Sequence, residues 1–148
     1  MHWHPGSSNG ASAASSLANK SAKFRFHGVA SHAAGSPWNG RSALDGVEAM
    51  NYMVNMLREH ILPDSRIHHV ITRGGEAPNV VPEFAEVFYY CRHPEMEIVA
   101  KNFARLVEAA EGAAKGLGQQ WIMRLYMVST MCCQMKHLPR SCIRILLK

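Results

Sequence analysis

Residues 24–44 read FRFHGVASHAAGSPWNGRSAL, and this stretch decides the fold. Phe24 and Phe26 alternate with Lys23, Arg25 and His27, the period-two pattern of a strand with one buried face. Gly28 breaks the pattern. A loop of small residues follows, with one histidine, His32, in its middle and with Pro37, Asn39 and Gly40 as punctuation. From Ser42 the period changes. Leu44, Val47, Met50, Val54, Leu57 and Ile61 recur at three- and four-residue steps, which makes one apolar helical face. Asp45, Glu48, Asn51, Asn55 and Arg58 lie elsewhere on the cylinder. Ser42 with Asp45 approximates a capping box, and Pro63 stops a helix expected over 42–61. A strand that hands a lone imidazole to a Gly/Ala/Ser loop can place that ring with little steric competition.

Working outward, residues 21–29 form the first expected strand and residues 66–72, RIHHVIT, the second. Residues 73–82, RGGEAPNVVP, are a Gly/Pro-rich loop, and residues 84–92, FAEVFYYCR, form an aromatic, β-branched third strand. Pro94 opens a second helix to about Lys115, with Val99, Phe103, Leu106, Ala110 and Ala113 as its apolar face and Gly116 and Gly118 at its end. Residues 121–128, WIMRLYMV, supply the candidate for a fourth strand. Strand, helix, strand, strand, helix, strand is the split βαβ pattern. The expected fold class is α+β, a ferredoxin-like two-layer sandwich with a four-stranded antiparallel sheet and two helices on one face.

The chain has 148 residues and 47% hydrophobic content, enough for one domain with a real core. No apolar run approaches the roughly 20 residues that span a bilayer, and the start, MHWHPGSSNG, has no charged segment followed by an apolar one. The expectation is a soluble, cytoplasmic chain with no membrane partner. Four cysteines without a CxxC pair make neither a disulfide framework nor a zinc knuckle. Residues 119–148 hold Arg124, Lys136, Arg140, Arg144, Lys148 and no acid, so the net +5 sits in the tail and residues 1–118 are neutral. Without a clustered run of Lys and Arg, the balance gives no nucleic-acid partner.

Three residues bear chemistry. His32 suits a ligand, a base or an oxyanion donor, although a lone loop histidine is more often simply solvated. Asn79, between Pro78 and Val80, suits either an amide aimed at a substrate or a turn residue. Arg92, at a strand end, suits a carboxylate clamp or an ordinary strand-end charge. His68 and His69 are adjacent, so they point to opposite faces of a strand and cannot share a metal. No H-x-D, HExxH, phosphate-loop or G-x-S-x-G pattern occurs.

The segments KFRFHGVASHAAGSPWNGRSALDGVEAMNYMVN and REHILPDSRIHHVITRGGEAPNVVPEFAEVFYYCR resemble the lid (dimerisation) domain of the M20 metallopeptidase and amidohydrolase family. The SHAAxxPxxGRSAL pattern, the GGxAPNVVP loop and the later arginine together carry the likeness, over about residues 3 to 118. The resemblance implies a two-domain amide-hydrolysing enzyme whose metal-binding domain holds zinc or manganese and carries the lid as an insertion. It implies a homodimer through an edge strand and the first helix. It gives His32 a role across the dimer, stabilising an oxyanion, and gives Asn79 and Arg92 the substrate's amide and carboxylate. It aligns His4 with the last metal-ligand histidine before the lid. The rest of the metal-binding domain has no counterpart here, so the fragment alone is expected to bind no metal and to be inactive. The other reading is a free-standing ferredoxin-like module for a small ligand or RNA, with Phe88, Tyr89 and Tyr90 as stacking candidates.

Past Gly118 the likeness stops and the composition shifts to three of the four cysteines and four of the nine methionines. Back-translated with permissible codons and read two bases later, the tail has TMDYEIVHGVYNVLPNETLAKIMYKNLTE as one of its readings, without a stop, and that reading continues in the manner of the family. The expected organisation is therefore a connector (residues 1–20), a lid domain (21–128) and an out-of-frame tail (129–148).

Overall fold

A computed structural model describes Ser7 and residues 16–130. The elements follow the expected order: β1 (Ala18–His27), α1 (Ala43–Leu57), β2 (Arg66–Arg73), β3 (Phe84–His93), α2 (Met96–Leu117) and β4 (Gln120–Ser129). The strands form one sheet in the order β2-β3-β1-β4, antiparallel throughout. Both helices pack on one face of it, and the other face is open.

Register explains which side chains go inside. Phe24 pairs with Val87, Ala22 with Tyr89 and Phe26 with Ala85. Successive strand residues alternate faces, so these six point toward the helices, where all are fully buried. From above, α1 contributes Val47, Met50 and Val54, and α2 contributes Val99, Phe103, Leu106 and Ala110. The Phe24 and Tyr89 rings meet edge to face at 5.8 Å. The Tyr89 hydroxyl donates to Asn51 Oδ1 at 2.5 Å. Burial without that acceptor would leave the hydroxyl unsatisfied, so the amide lies on the buried side of α1 and not on its outer face. Likewise Tyr89 belongs to the core, and only Phe88 and Tyr90 of the expected aromatic trio face outward.

Boundaries moved for local reasons. β1 begins at Ala18, and Ala18 and Ala22 are both fully buried in the core between sheet and helices. α1 keeps its Ser42 cap, which accepts from the Asp45 amide at 3.3 Å. It ends at Leu57, where Arg58–His60 tighten into a 3-10 turn ahead of Pro63. α2 starts at Met96 and closes on Gly118 in the left-handed region at φ +63°, where a side chain would be strained. Among the described residues, no helix is long and apolar enough to cross a membrane.

Candidate functional site

The two Gly-rich loops at one end of the sheet are hydrogen-bonded into a single platform. Gly28 N donates to Glu83 O and Val81 N to Ser31 O, at 2.8 and 2.9 Å. Ala33 N donates to Asn79 O at 3.0 Å, and His32 bridges Val80. Glycine is required at two of these crossings. A Cβ on Gly28 would collide with the Arg41 carbonyl, and one on Gly40 with the Ser31 hydroxyl and, at 3.2 Å, with Val81. Two residues far apart in sequence thus become neighbours, His32 beside Asn79.

The His32 side chain is exposed on this platform. Its Nδ1 accepts from the Gly35 amide at 2.9 Å and from the Ala34 amide at 3.2 Å. No described residue bonds Nε2, so the exposed ring keeps that nitrogen free of a protein partner. The Pro37–Asn39 3-10 turn that follows holds Trp38 in solvent at 78% exposure, and Val29 and Val80 of the two bonded loops are exposed as well. That aromatic was not singled out in the sequence, where Pro37, Asn39 and Gly40 mark the stretch as loop.

Arg92 is elsewhere. It pairs with Asn19, whereas Phe84 pairs with His27; the eight residue steps between them, at about 3.3 Å each, put it roughly 26 Å down the sheet from the His32 end. Its guanidinium lies 5.0 Å over the Tyr90 ring, and its buried Nε has no partner. The chain also enters and leaves the domain at this end, since Asn19 pairs with Ser129 across β1 and β4. The three predicted site residues therefore divide: His32 and Asn79 are brought together, and Arg92 is set apart.

On the open face, Glu86 ties three strands. Lys23 Nζ and Arg25 Nε of β1 reach its two oxygens at 2.8 and 2.7 Å, and Thr72 of β2 donates to Oε1 at 2.7 Å. Desolvation raises its pKa, but the hydrogen bonds from Lys23, Arg25 and Thr72 and the Lys23 charge outweigh it and bring it from 4.5 to about 2. This hub was also missed in the sequence; the available signal was a lone acid inside the apolar run FAEVFYY. His68 faces outward and His69 inward, half-buried 4.9 Å from the Tyr89 ring. Burial, and then the Arg58 charge, lower the His69 pKa. Among the described residues, no cluster of three or more His, Cys, Asp or Glu could hold a metal. His4 lies outside the described residues.

Residues 17–117 match the family model described as Peptidase dimerisation domain. The chain is 49% identical over 115 residues to a subunit of p-aminobenzoyl-glutamate hydrolase of Escherichia coli (strain K12), a match covering 77% of this chain and 24% of that protein. It is 36% identical over 94 residues to Xaa-Arg dipeptidase of Mus musculus, covering 64% and 22%. The crystal structure of aminobenzoyl-glutamate utilization protein from Klebsiella pneumoniae superposes with a TM-score of 0.68 at 25% identity, covering 79% of this chain and 30% of that one. The chain thus spans about a quarter of the length of these relatives. By sequence and by fold, it belongs to the M20 peptidase dimerisation-domain family.

Proposed function

We propose that this domain acts as the lid of a metal-dependent amidohydrolase and delivers His32 and Asn79 into the active site of a dimer partner. The observation that carries this reading is the polarity of the sheet. A catalytic domain joined at Ala18 and Ser129 sits at the Arg92 end, so an exposed His32 some 26 Å away is out of reach of its own chain's centre. A partner related by a two-fold axis removes that difficulty. Each active site then takes His32 and Asn79 from one chain and Arg92 from the other.

The roles follow from the groups. The free Nε2 of His32 stabilises negative charge developing on the scissile carbonyl oxygen, an effect worth about 3 kcal/mol in comparable oxyanion sites. The Asn79 amide holds the substrate's amide, and Arg92 holds its carboxylate in bidentate fashion. These fit an acylated amino acid such as aminobenzoyl-glutamate, the substrate class in the names of two of these relatives. The metal, zinc or manganese, and the base that activates water belong to the catalytic domain, so the lid alone hydrolyses nothing. Its place is the cytoplasm.

For the dimer, we assign the β2 edge and the outer side of α1. There Tyr52 and Met56 of α1 and Ile71 of β2 are 41–67% exposed, and Val70, at 55%, lies on the open-face side of the same edge strand; interfaces cover exposed apolar residues of this kind. Light scattering after size exclusion is expected to give a dimer at micromolar concentration, and a monomer for the pair Tyr52→Glu and Val70→Lys. A monomeric parent chain overturns the assignment. One observation favours the second reading, RNA binding: Phe88 lies 5.2 Å from Tyr90 and 5.0 Å from Tyr126 on the open face, beside basic residues. Titration with single-stranded RNA at low salt separates the two. The tail from residue 129 is proposed to be out-of-frame sequence, which the coding DNA tests; residues 131–148 lie outside the described residues.

A further inference from the structure

We propose that the backbone amides of Ala34 and Gly35 are positioning groups that fix the tautomer of His32, making it an obligate N–H donor at Nε2. A neutral imidazole has one nitrogen with a proton and one with a lone pair. Nδ1 accepts from the Gly35 amide at 2.9 Å and from the Ala34 amide at 3.2 Å. A proton on Nδ1 would point at two N–H groups and lose both bonds. The neutral ring therefore carries its proton on Nε2, the nitrogen that no described residue bonds. In this state the ring can donate to an oxygen but cannot accept a proton at that nitrogen, so the loop selects electrophilic assistance over general-base chemistry.

The loop is built to hold this arrangement. The His32 carbonyl accepts from Ser36 N at 3.0 Å, which closes residues 32–36 into one turn around the ring. Ala33 is pinned from the other side by Asn79 O. A Cβ at Gly35 would lie 3.4 Å from Nδ1 and 3.6 Å from Cγ of His32, which is ordinary van der Waals contact. Gly35 thus serves through its amide N–H, a donor that an alanine at this position keeps.

The tautomer stands on the geometry of this chain alone; its use as an oxyanion donor rests on the lid reading. The two fail separately. Long-range proton–nitrogen correlation on the 15N-labelled chain at neutral pH reads the ring directly, without substrate or catalytic domain. The expected spectrum shows Nε2 protonated and Nδ1 bare, with a coupling across the hydrogen bond between the Gly35 nitrogen and Nδ1. A protonated Nδ1, or an averaged mixture of the two forms, overturns the proposal. In Gly35→Pro, which removes the amide donor, with backbone amide shifts outside residues 30–36 unchanged as the check on folding, the ring is expected to move toward that mixture. An unchanged ring spectrum in this variant overturns the role of the Gly35 amide. Gly35→Ala keeps the N–H, so its ring spectrum is expected to match the parent's, and a shifted one overturns that role as well. A merely structural glycine would alter stability and leave the tautomer alone.

Discussion

Removing the Glu86 charge tests how the open face holds the sheet together. Glu86→Gln keeps the shape but leaves Lys23 and Arg25 side by side without a counter-charge, and leaves one of their donors without its acceptor. The carboxyl falls from 4.5 to about 2 on folding. At about 1.4 kcal/mol per pKa unit, that sets a ceiling of roughly 3.4 kcal/mol. Its side chain is 7% exposed, but Lys23 and Arg25 are near 30%, and solvent screening on an open face reduces the gain to about 1.5–2 kcal/mol. In a domain of this size the loss corresponds to a fall in Tm of roughly 6–12 °C. The pH dependence has a definite sign. A depressed folded-state pKa stabilises above 4.5, and the contribution is lost as pH falls from about 4.5 toward about 2. Urea titrations at pH 7, 4 and 3 should show the parent and Glu86→Gln curves converging as the acid is protonated. A variant within about 0.5 kcal/mol of the parent at pH 7, or one that keeps the parent's full acid sensitivity, refutes the hub.

Two further outcomes follow from packing. Gly46 lets α1 close on β1, since a Cβ there would meet Phe26 Cδ1 at 2.6 Å and collide with Gln119 Oε1. Gly46→Ala should therefore cost about 1–3 kcal/mol in urea unfolding, and a stabilisation, as at an exposed helix glycine, would contradict the packing. β4 has no buried residue, and Ile122, Leu125, Tyr126, Met127 and Val128 are 40–63% exposed along a free edge. Such an edge templates association, so Leu125→Lys should delay the onset of light scattering on heating, and unchanged aggregation would locate the liability elsewhere.

The elements were legible because their periods are clean. Phe24 and Phe26 against Lys23 and Arg25, and the three- and four-residue steps from Leu44 to Leu57, leave little choice of structure. The start of β1 was hidden because Ala18, Asn19 and Ser21 carry no bulk to mark an inward face. Asn51 and Tyr89 were misplaced for a related reason: each is a polar-tipped residue that enters the core only because the other is there. The site was partly legible. Its residue types came from the resemblance, but the meeting of His32 with Asn79 needs the β1–β3 ladder that sets Gly28 against Glu83. The same ladder carries Arg92 to the far end, and no spacing in the sequence states a distance along a sheet.

The trans role of His32 is tested most directly by mixing two inactive parents. Residues 17–117 replace the matching segment of the Escherichia coli relative, whose own fourth lid strand is kept; one parent carries His32→Ala, the other a disabled metal centre. Random exchange of protomers makes half the dimers hetero, and each of these has one intact site if His32 acts across the interface. Amide hydrolysis should then return to about a quarter of the unmutated graft's rate. A mixture as inactive as its parents would show that His32 serves its own chain or none.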